Sequence, residues 1–417
     1  LKITIVRRWA LWLLTVWLIF FINPFVDAIT GYIVMSDSSE VGGIGSPSQM
    51  FRLLLSGLML VQIHNSRHLI FILLFVFYLV VLELFNFIFH TDLMGLTIGI
   101  TYSYKLAFGI LMYFVIDKYI QKGWLEFNRL LDYTIYSGVI YCGLVLFADL
   151  LGISYPSYSG VNLGSRGIFA SANGLGIYVG VCSLLVIYKY YKSPQKIYLF
   201  FYLLMAYVLL GLMTRAAIGI LLVGVTLWFI NMPWKYKLMS LGVGFILIGI
   251  FIEPVSKVVR SSTEMIVYRL QDADISFQGL VIGGRQELFD RATKNFTIEN
   301  GLWYRLVVGG GYFLSYRNPF SMASEYSPIL EADLWDVFYM FGIVGLLVYG
   351  RLFIYGLCIS KHATLSYILK IAWIMLFFHS AFAGHVIQNG MSVMVMVCLM
   401  ILLKYIGSEK VQGQLCS

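Results

Sequence analysis

Residues 68–90 read HLIFILLFVFYLVVLELFNFIFH, with Glu83 as the single formal charge. A bilayer core about 30 Å thick takes about 20 apolar residues in one helix. In hydrocarbon only a helix or a closed barrel satisfies its own backbone polar groups. The run shows no alternation of period 2, so it predicts a membrane-spanning helix. Working outward, comparable runs occupy 9–26, 50–64, 93–116, 132–153, 170–190, 196–213, 215–231, 236–253, 333–357, 364–384 and 387–406. With 68–90 they make twelve, and they predict an all-α integral membrane protein. The seventh and eighth are separated only by Thr214-Arg215.

The composition agrees. Of 417 residues, 60% are hydrophobic and 12% charged, against about 45–50% and about 25% in soluble domains. So little polar surface excludes a soluble enzyme of this size, and a disordered or collagen-like chain. Aromatics at 17% suit two membrane–water interfaces. The first apolar stretch, after Lys2, Arg7 and Arg8, is too long for a signal peptide and reads as a retained helix. Cys142, Cys182, Cys358, Cys398 and Cys416 form no C-x-x-C pair, so neither a zinc site nor a disulfide framework is expected. There is no internal repeat of the kind many transporters carry.

The net charge of +8 is a topology signal and not a nucleic-acid footprint. Lys2, Arg7 and Arg8, then Arg67, then Lys118, Lys122 and Arg129, then Lys189, Lys192 and Lys196, then Lys235 and Lys237, then Lys361, then Lys404 and Lys410 mark every second loop. The loop 27–49 has no Lys or Arg and carries Asp27, Asp37 and Glu40. The positive-inside rule then predicts both termini in the cytoplasm. Three regions follow: spans one to nine in 1–253, a large outer loop in 254–332, and three spans with a short tail in 333–417. The loop is rich in arginine, including Arg285, Arg291, Arg305 and Arg317. Long outer loops are exempt from the charge rule, so the arginines mark either a solvated subdomain or an anion site. Guanidinium forks bind phosphate in bidentate geometry.

Several residues are candidates for chemistry. Arg215 stands between two apolar runs beside small residues, and Arg166 lies in a second outer loop. Each reads as a helix-end anchor or as part of an anion site. Arg285 follows Gly283-Gly284 and opens a helical stretch that carries Arg291. An uncapped helix N-terminus beside a guanidinium favours phosphate. Glu331, Asp333 and Asp336 open the tenth span. They serve the helix dipole there, and a carboxylate at this point is also placed to act as a general base. Glu83 and Lys105 lie about 10 Å and about 18 Å inside their helix ends at about 1.5 Å per residue, and an ion pair between them is expected.

These pieces, in this order, resemble the O-antigen polymerase and ligase family of bacterial inner-membrane proteins. The resemblance runs from Arg166 through Phe169 and Asn173, to Thr214-Arg215-Ala216, to Gly284-Arg285-Gln286-Glu287-Leu288-Phe289, to Gly309-Gly310-Gly311-Tyr312, and to Glu331-Ala332-Asp333-Leu334 with Gly342-Ile343-Val344-Gly345. Ligases of the family usually carry His-Asn where this chain has Glu331-Ala332, so the likeness leans toward a polymerase. It implies a GT-C-type glycosyltransferase acting at the periplasmic face. The donor would be an undecaprenyl-diphosphate-linked glycan and the acceptor a sugar hydroxyl of a second lipid-linked unit. No cofactor and no obligatory metal are implied, and a chain-length-determining copolymerase is the expected protein partner. Glu331 would be the base, with Asp333 as substitute. Arg215 and Arg285 would stabilise the leaving diphosphate, and Arg166, Arg291, Arg305 and Arg317 would bind substrate. A ligase is the nearest rival and a polysaccharide flippase a more distant one.

Overall fold

The computed structural model describes residues 2–36, 46–63, 66–90, 93–158, 163–235, 237, 286–296, 303–316, 329–359, 365–384 and 386–406. Among them the regular elements are helices, and one isolated bridge joins Tyr158 to Leu163. In chain order they are α1 (Lys2–Trp17), a π-helical turn (Leu18–Ile22), α2 (Asn23–Ser36), α3 (Pro47–Leu60), α4 (Ser66–His90), α5 (Leu93–Gln121), α6 (Phe127–Leu150), α7 (Ala172–Lys192), α8 (Lys196–Leu212) and α9 (Arg215–Asn231). Three short helices follow: α10 (Gln286–Phe296), α11 (Tyr304–Val308) and α12 (Gly311–Tyr316). Then come α13 (Asp333–Ile359), α14 (Ser366–Ala383) and α15 (Gly390–Tyr405).

Seven described helical stretches are long and apolar enough to cross a membrane, and α8, α9 and α15 are shorter apolar helices. The chain is a helical, multi-pass membrane protein. The run 236–253 lies outside the described residues. The run 50–64 becomes the 14-residue α3, short for a span by itself at about 1.5 Å per residue. The first run is longer than its apolar core predicts, because α1 continues through the π turn into α2. Pro24 has no N–H to offer the preceding turn, and a widened turn ahead of it absorbs the missing bond. Asp27 is therefore a buried residue of α2 and not part of a loop.

The helices sort by what surrounds them. In α7, 89% of the apolar window is buried inside the protein, and in α4 only 17%. Accordingly α7 is the central post and α4 meets lipid along most of its length. Gly180 lets α9 approach α7: a Cβ there would stand 2.8 Å from the Ile220 side chain. Small residues at helix crossings serve this purpose in membranes. The break at Thr214-Arg215 is real and sharp. Met213 ends α8 in the left-handed region at φ 53°, and the Thr214 hydroxyl accepts from Ala217 N at 3.2 Å to start α9. At the lower end of the bundle, Lys189 pairs with Asp132 at 2.8 Å and Lys404 with Asp117 at 2.7 Å.

The upper end, where α3, α7, α9, α13 and α15 begin, is irregular. Within α13, Gly342 leaves helical geometry at φ 59° and ψ −154°. The turn between α11 and α12 fills the break: a Cβ on Gly342 would lie 2.6 Å from the Val307 carbonyl, and one on Gly309 2.2 Å from that of Met340. The freed backbone groups find partners. Gly310 N donates to Tyr339 O at 3.3 Å, Ser315 Oγ to Tyr339 O at 2.8 Å, and Tyr78 OH to Val308 O at 3.0 Å. Non-helical backbone at membrane depth needs such protein partners. Residues 303–316, expected in the large outer loop, thus insert among α4, α5 and α13.

Candidate functional site

The sequence Leu330-Glu331-Ala332-Asp333-Leu334-Trp335-Asp336 builds one wall of the upper end. Asp333 and Asp336 are spaced i, i+3 and share a helix face. Both are fully buried. Asp333 Oδ2 accepts from Ser380 Oγ at 2.7 Å, Val386 N at 2.9 Å and Ile387 N at 3.1 Å. It ties the start of α13 to the stretch between α14 and α15. Asp336 folds back over its own helix start and accepts from Leu330 N at 2.9 Å, Ala332 N at 3.1 Å and the Tyr316 hydroxyl. These bonds fix the turn that carries Glu331.

Glu331 is the most exposed of the three carboxylates. Its backbone is left-handed, at φ 57°, a region that costs a non-glycine residue about 1–2 kcal/mol. Such strain persists only when the surroundings over-determine it. Here they do: Asp336 holds residues 330 and 332, and Gly384 presses on the Glu331 carbonyl so closely that a Cβ would stand 2.2 Å from it.

A line of tyrosines leads inward from this wall. Tyr316 donates to Asp336, its ring lies 5.2 Å from Tyr312, and Tyr312 stacks on Tyr102 at 4.7 Å and 11°. Glu83 sets the depth of the line. It is fully buried in α4 and accepts from Tyr312 N at 2.5 Å. The expected Glu83–Lys105 pair does not form. Glu83 abuts Gly99 of α5, and Lys105 lies six residues further on, about 9 Å lower and about 240° around the helix. The Lys105 ammonium sits over the Tyr102 ring instead, 4.3 Å from its centroid.

Beyond Lys105 stands Arg52 of α3. Its guanidinium pairs with Asp27, whose other oxygen accepts from Tyr141 OH at 2.6 Å and Asn23 Nδ2 at 2.9 Å. The guanidinium lies against the first residue of α15, since a Cβ on Gly390 would be 2.2 Å from Arg52 Cζ. Nothing in the sequence singled out Arg52. One arginine near the start of an apolar run reads as an interface anchor, and its partner is remote in the chain.

The remaining arginines are dispersed. Arg166 donates to Ala170 O at 2.7 Å and to Met35 Sδ at 3.3 Å, and burial pulls its pKa down. Arg215 is the exposed first residue of α9. Arg305 is buried: it lies against Gly310 and donates to Leu314 O at 3.3 Å, bracing the α11–α12 turn. Arg291 falls on α10. Arg285 and Arg317 lie outside the described residues. Among the described residues no group of His, Cys, Asp and Glu is arranged to hold a metal ion.

Fold and site together define a multi-pass helical membrane protein with a re-entrant segment and a buried acid–tyrosine–cation array at one end. The chain matches no protein-family model and no curated protein sequence.

Proposed function

We propose that the chain is a GT-C-type glycosyltransferase that polymerises undecaprenyl-diphosphate-linked oligosaccharide repeat units. It would do so in the bacterial inner membrane, through twelve spans with both termini cytoplasmic and the upper end facing the periplasm. The ordered motifs shared with O-antigen polymerases support this reading, and Glu331 is the observation that carries it. Asp333 and Asp336 each already accept three hydrogen bonds. Glu331 is the partly exposed carboxylate above them, in a strained conformation that the surrounding residues enforce.

In the reaction the acceptor hydroxyl gives its proton to Glu331 while its oxygen bonds to the anomeric carbon of the donor. The bond from that carbon to the diphosphate oxygen breaks, and the electron pair leaves with the diphosphate. Arg215 and Arg285 meet the developing charge, and Arg166, Arg291 and Arg317 bind the substrate. Arg305 braces the turn that carries the tyrosines. A chain-length-determining copolymerase is the partner this reaction calls for.

The test is the surface-glycan ladder of a strain deleted for this gene, complemented with wild type, Glu331→Ala, Arg215→Ala or Arg285→Ala. Collapse to a single repeat unit, restored by wild type and not by the variants, supports a polymerase. Long lipid-linked chains without any attached glycan would make it a ligase, and an unchanged ladder would end both readings.

A further inference from the structure

Around Lys105 and Arg52 the described side chains carry two positive charges and one negative. Arg52 has one acidic partner, Asp27. Lys105 has none among the described residues: its ammonium rests on the Tyr102 ring, and Arg52 is the charged side chain that acts on it. Arg52 and Lys105 thus repel one another, and among the described residues Asp27 is the one carboxylate paired with either. At membrane depth an ionised side chain costs several kcal/mol unless it is paired or hydrated. Arg52 Nε is buried and donates to nothing in the described structure. The guanidinium also lies over the first residue of α15, a 16-residue helix whose partial positive end adds to the same field.

From this imbalance we propose that Arg52 and Lys105 form an internal site for a phosphate or diphosphate group, at the N-terminus of α15. Arg52 offers Nε beside the edge it gives to Asp27, and Lys105 offers a compact charge on a flexible stem. Tyr102 connects the site to the carboxylates, being within electrostatic reach of both Glu331 and Asp336. The site lies about 8 Å to about 18 Å below the upper ends of α3 and α5, since Arg52 is five residues into α3 and Lys105 twelve into α5. It therefore suits a phosphate that arrives on a lipid, either a polyprenyl diphosphate or an anionic headgroup. The inference rests on the local charge balance and not on the glycosyltransferase reading.

The test uses the purified full-length protein in phosphatidylcholine nanodiscs, titrated with inorganic diphosphate and separately with a polyprenyl diphosphate. Lys105→Gln keeps much of the stem and removes the charge. Lys196→Gln, at the lower end, is the control. Removing one charge-assisted contact is expected to weaken binding of both probes about tenfold, with the control and the thermal midpoint unchanged. Because Arg52→Gln also strips Asp27 of its partner, it is made together with Asp27→Asn, and the pair is expected to weaken binding similarly. Native mass spectrometry from phosphatidylglycerol nanodiscs separates the two sources. Retention of that lipid by wild type, lost in Lys105→Gln, identifies a headgroup site. Preference for the polyprenyl diphosphate identifies a lipid-linked substrate site. Equal binding by wild type and Lys105→Gln, or no binding of any of the three probes, overturns the proposal whatever the outcome of the glycan ladder.

Discussion

Replacing Asp333 by alanine separates an anchor from a base. One oxygen of Asp333 accepts three hydrogen bonds, from Ser380 Oγ at 2.7 Å, Val386 N at 2.9 Å and Ile387 N at 3.1 Å, and the residue is fully buried. A hydrogen bond to a charged group contributes about 1.5–3 kcal/mol, and each buried donor left unpaired costs about 1–3 kcal/mol. The three bonds share one acceptor, so their contributions do not simply add. The two backbone N–H groups have no freedom to turn elsewhere, whereas the serine hydroxyl can rotate toward Tyr349 OH, already 2.9 Å away. Two stranded donors plus the lost charged contacts give a destabilisation of about 4 kcal/mol. The assay is the thermal midpoint of the purified protein, followed by fluorescence-detected size exclusion, with Asp333→Asn alongside. The asparagine can still accept through its carbonyl and is expected to fall between wild type and alanine. If Asp333→Ala melts with wild type while losing all polymer product, the anchor argument fails and Asp333 becomes the base.

Glu331→Gln is expected to keep the wild-type melting temperature and to abolish polymer on the glycan gel, whereas Glu331→Gly, free of left-handed strain, gains about 1 kcal/mol and is equally inactive. A melting temperature that falls in Glu331→Gly would show that the backbone there is unstrained. Gly342→Ala places a methyl group 2.6 Å from the Val307 carbonyl at a left-handed position; a loss of at least about 3 kcal/mol is expected, read by thermal unfolding and by new protease sensitivity between Trp303 and Tyr316. Glu83→Gln keeps shape but loses the charge that receives Tyr312 N, so a loss of about 2 kcal/mol is expected, and an unchanged midpoint would remove Glu83 from the seating of the re-entrant turn. Tyr312→Ala is expected to cost about 3 kcal/mol in thermal unfolding, since its ring makes the stacks with Tyr102 and Tyr316.

The long spans were legible because lipid demands a uniform composition over a fixed length, and runs such as 68–90 and 132–153 meet it unaided. The Thr214 break was legible because a capping residue and a charge interrupt two apolar runs at one point. Depth was not legible. Gly309-Gly310-Gly311 reads as a turn, but only the packing shows it lodged in the gap at Gly342. The Glu83–Lys105 expectation failed for the same reason: with α12 unseen between α4 and α5, the backbone N–H of Tyr312 could not be weighed as the partner of Glu83. Asp27 and Arg52 escaped because each sits near the end of an apolar run, where a charge ordinarily means an interface. Glu331 was legible as one of three carboxylates that open an apolar run; its left-handed backbone was not, because it follows from packing against Asp336 and Gly384.

α4 carries a last consequence. It turns most of its surface to acyl chains, yet its Glu83 and Tyr78 hold the inserted turn in place. A helix so placed changes tilt when its apolar length and the hydrocarbon thickness disagree, and the cost of mismatch is a fraction of a kcal/mol per Å. Any such tilt carries Glu83 with it and shifts Tyr312 against Tyr102. The thickness of the surrounding bilayer is thereby transmitted to the tyrosine line, and the length of the host lipid's chains becomes a setting of the site.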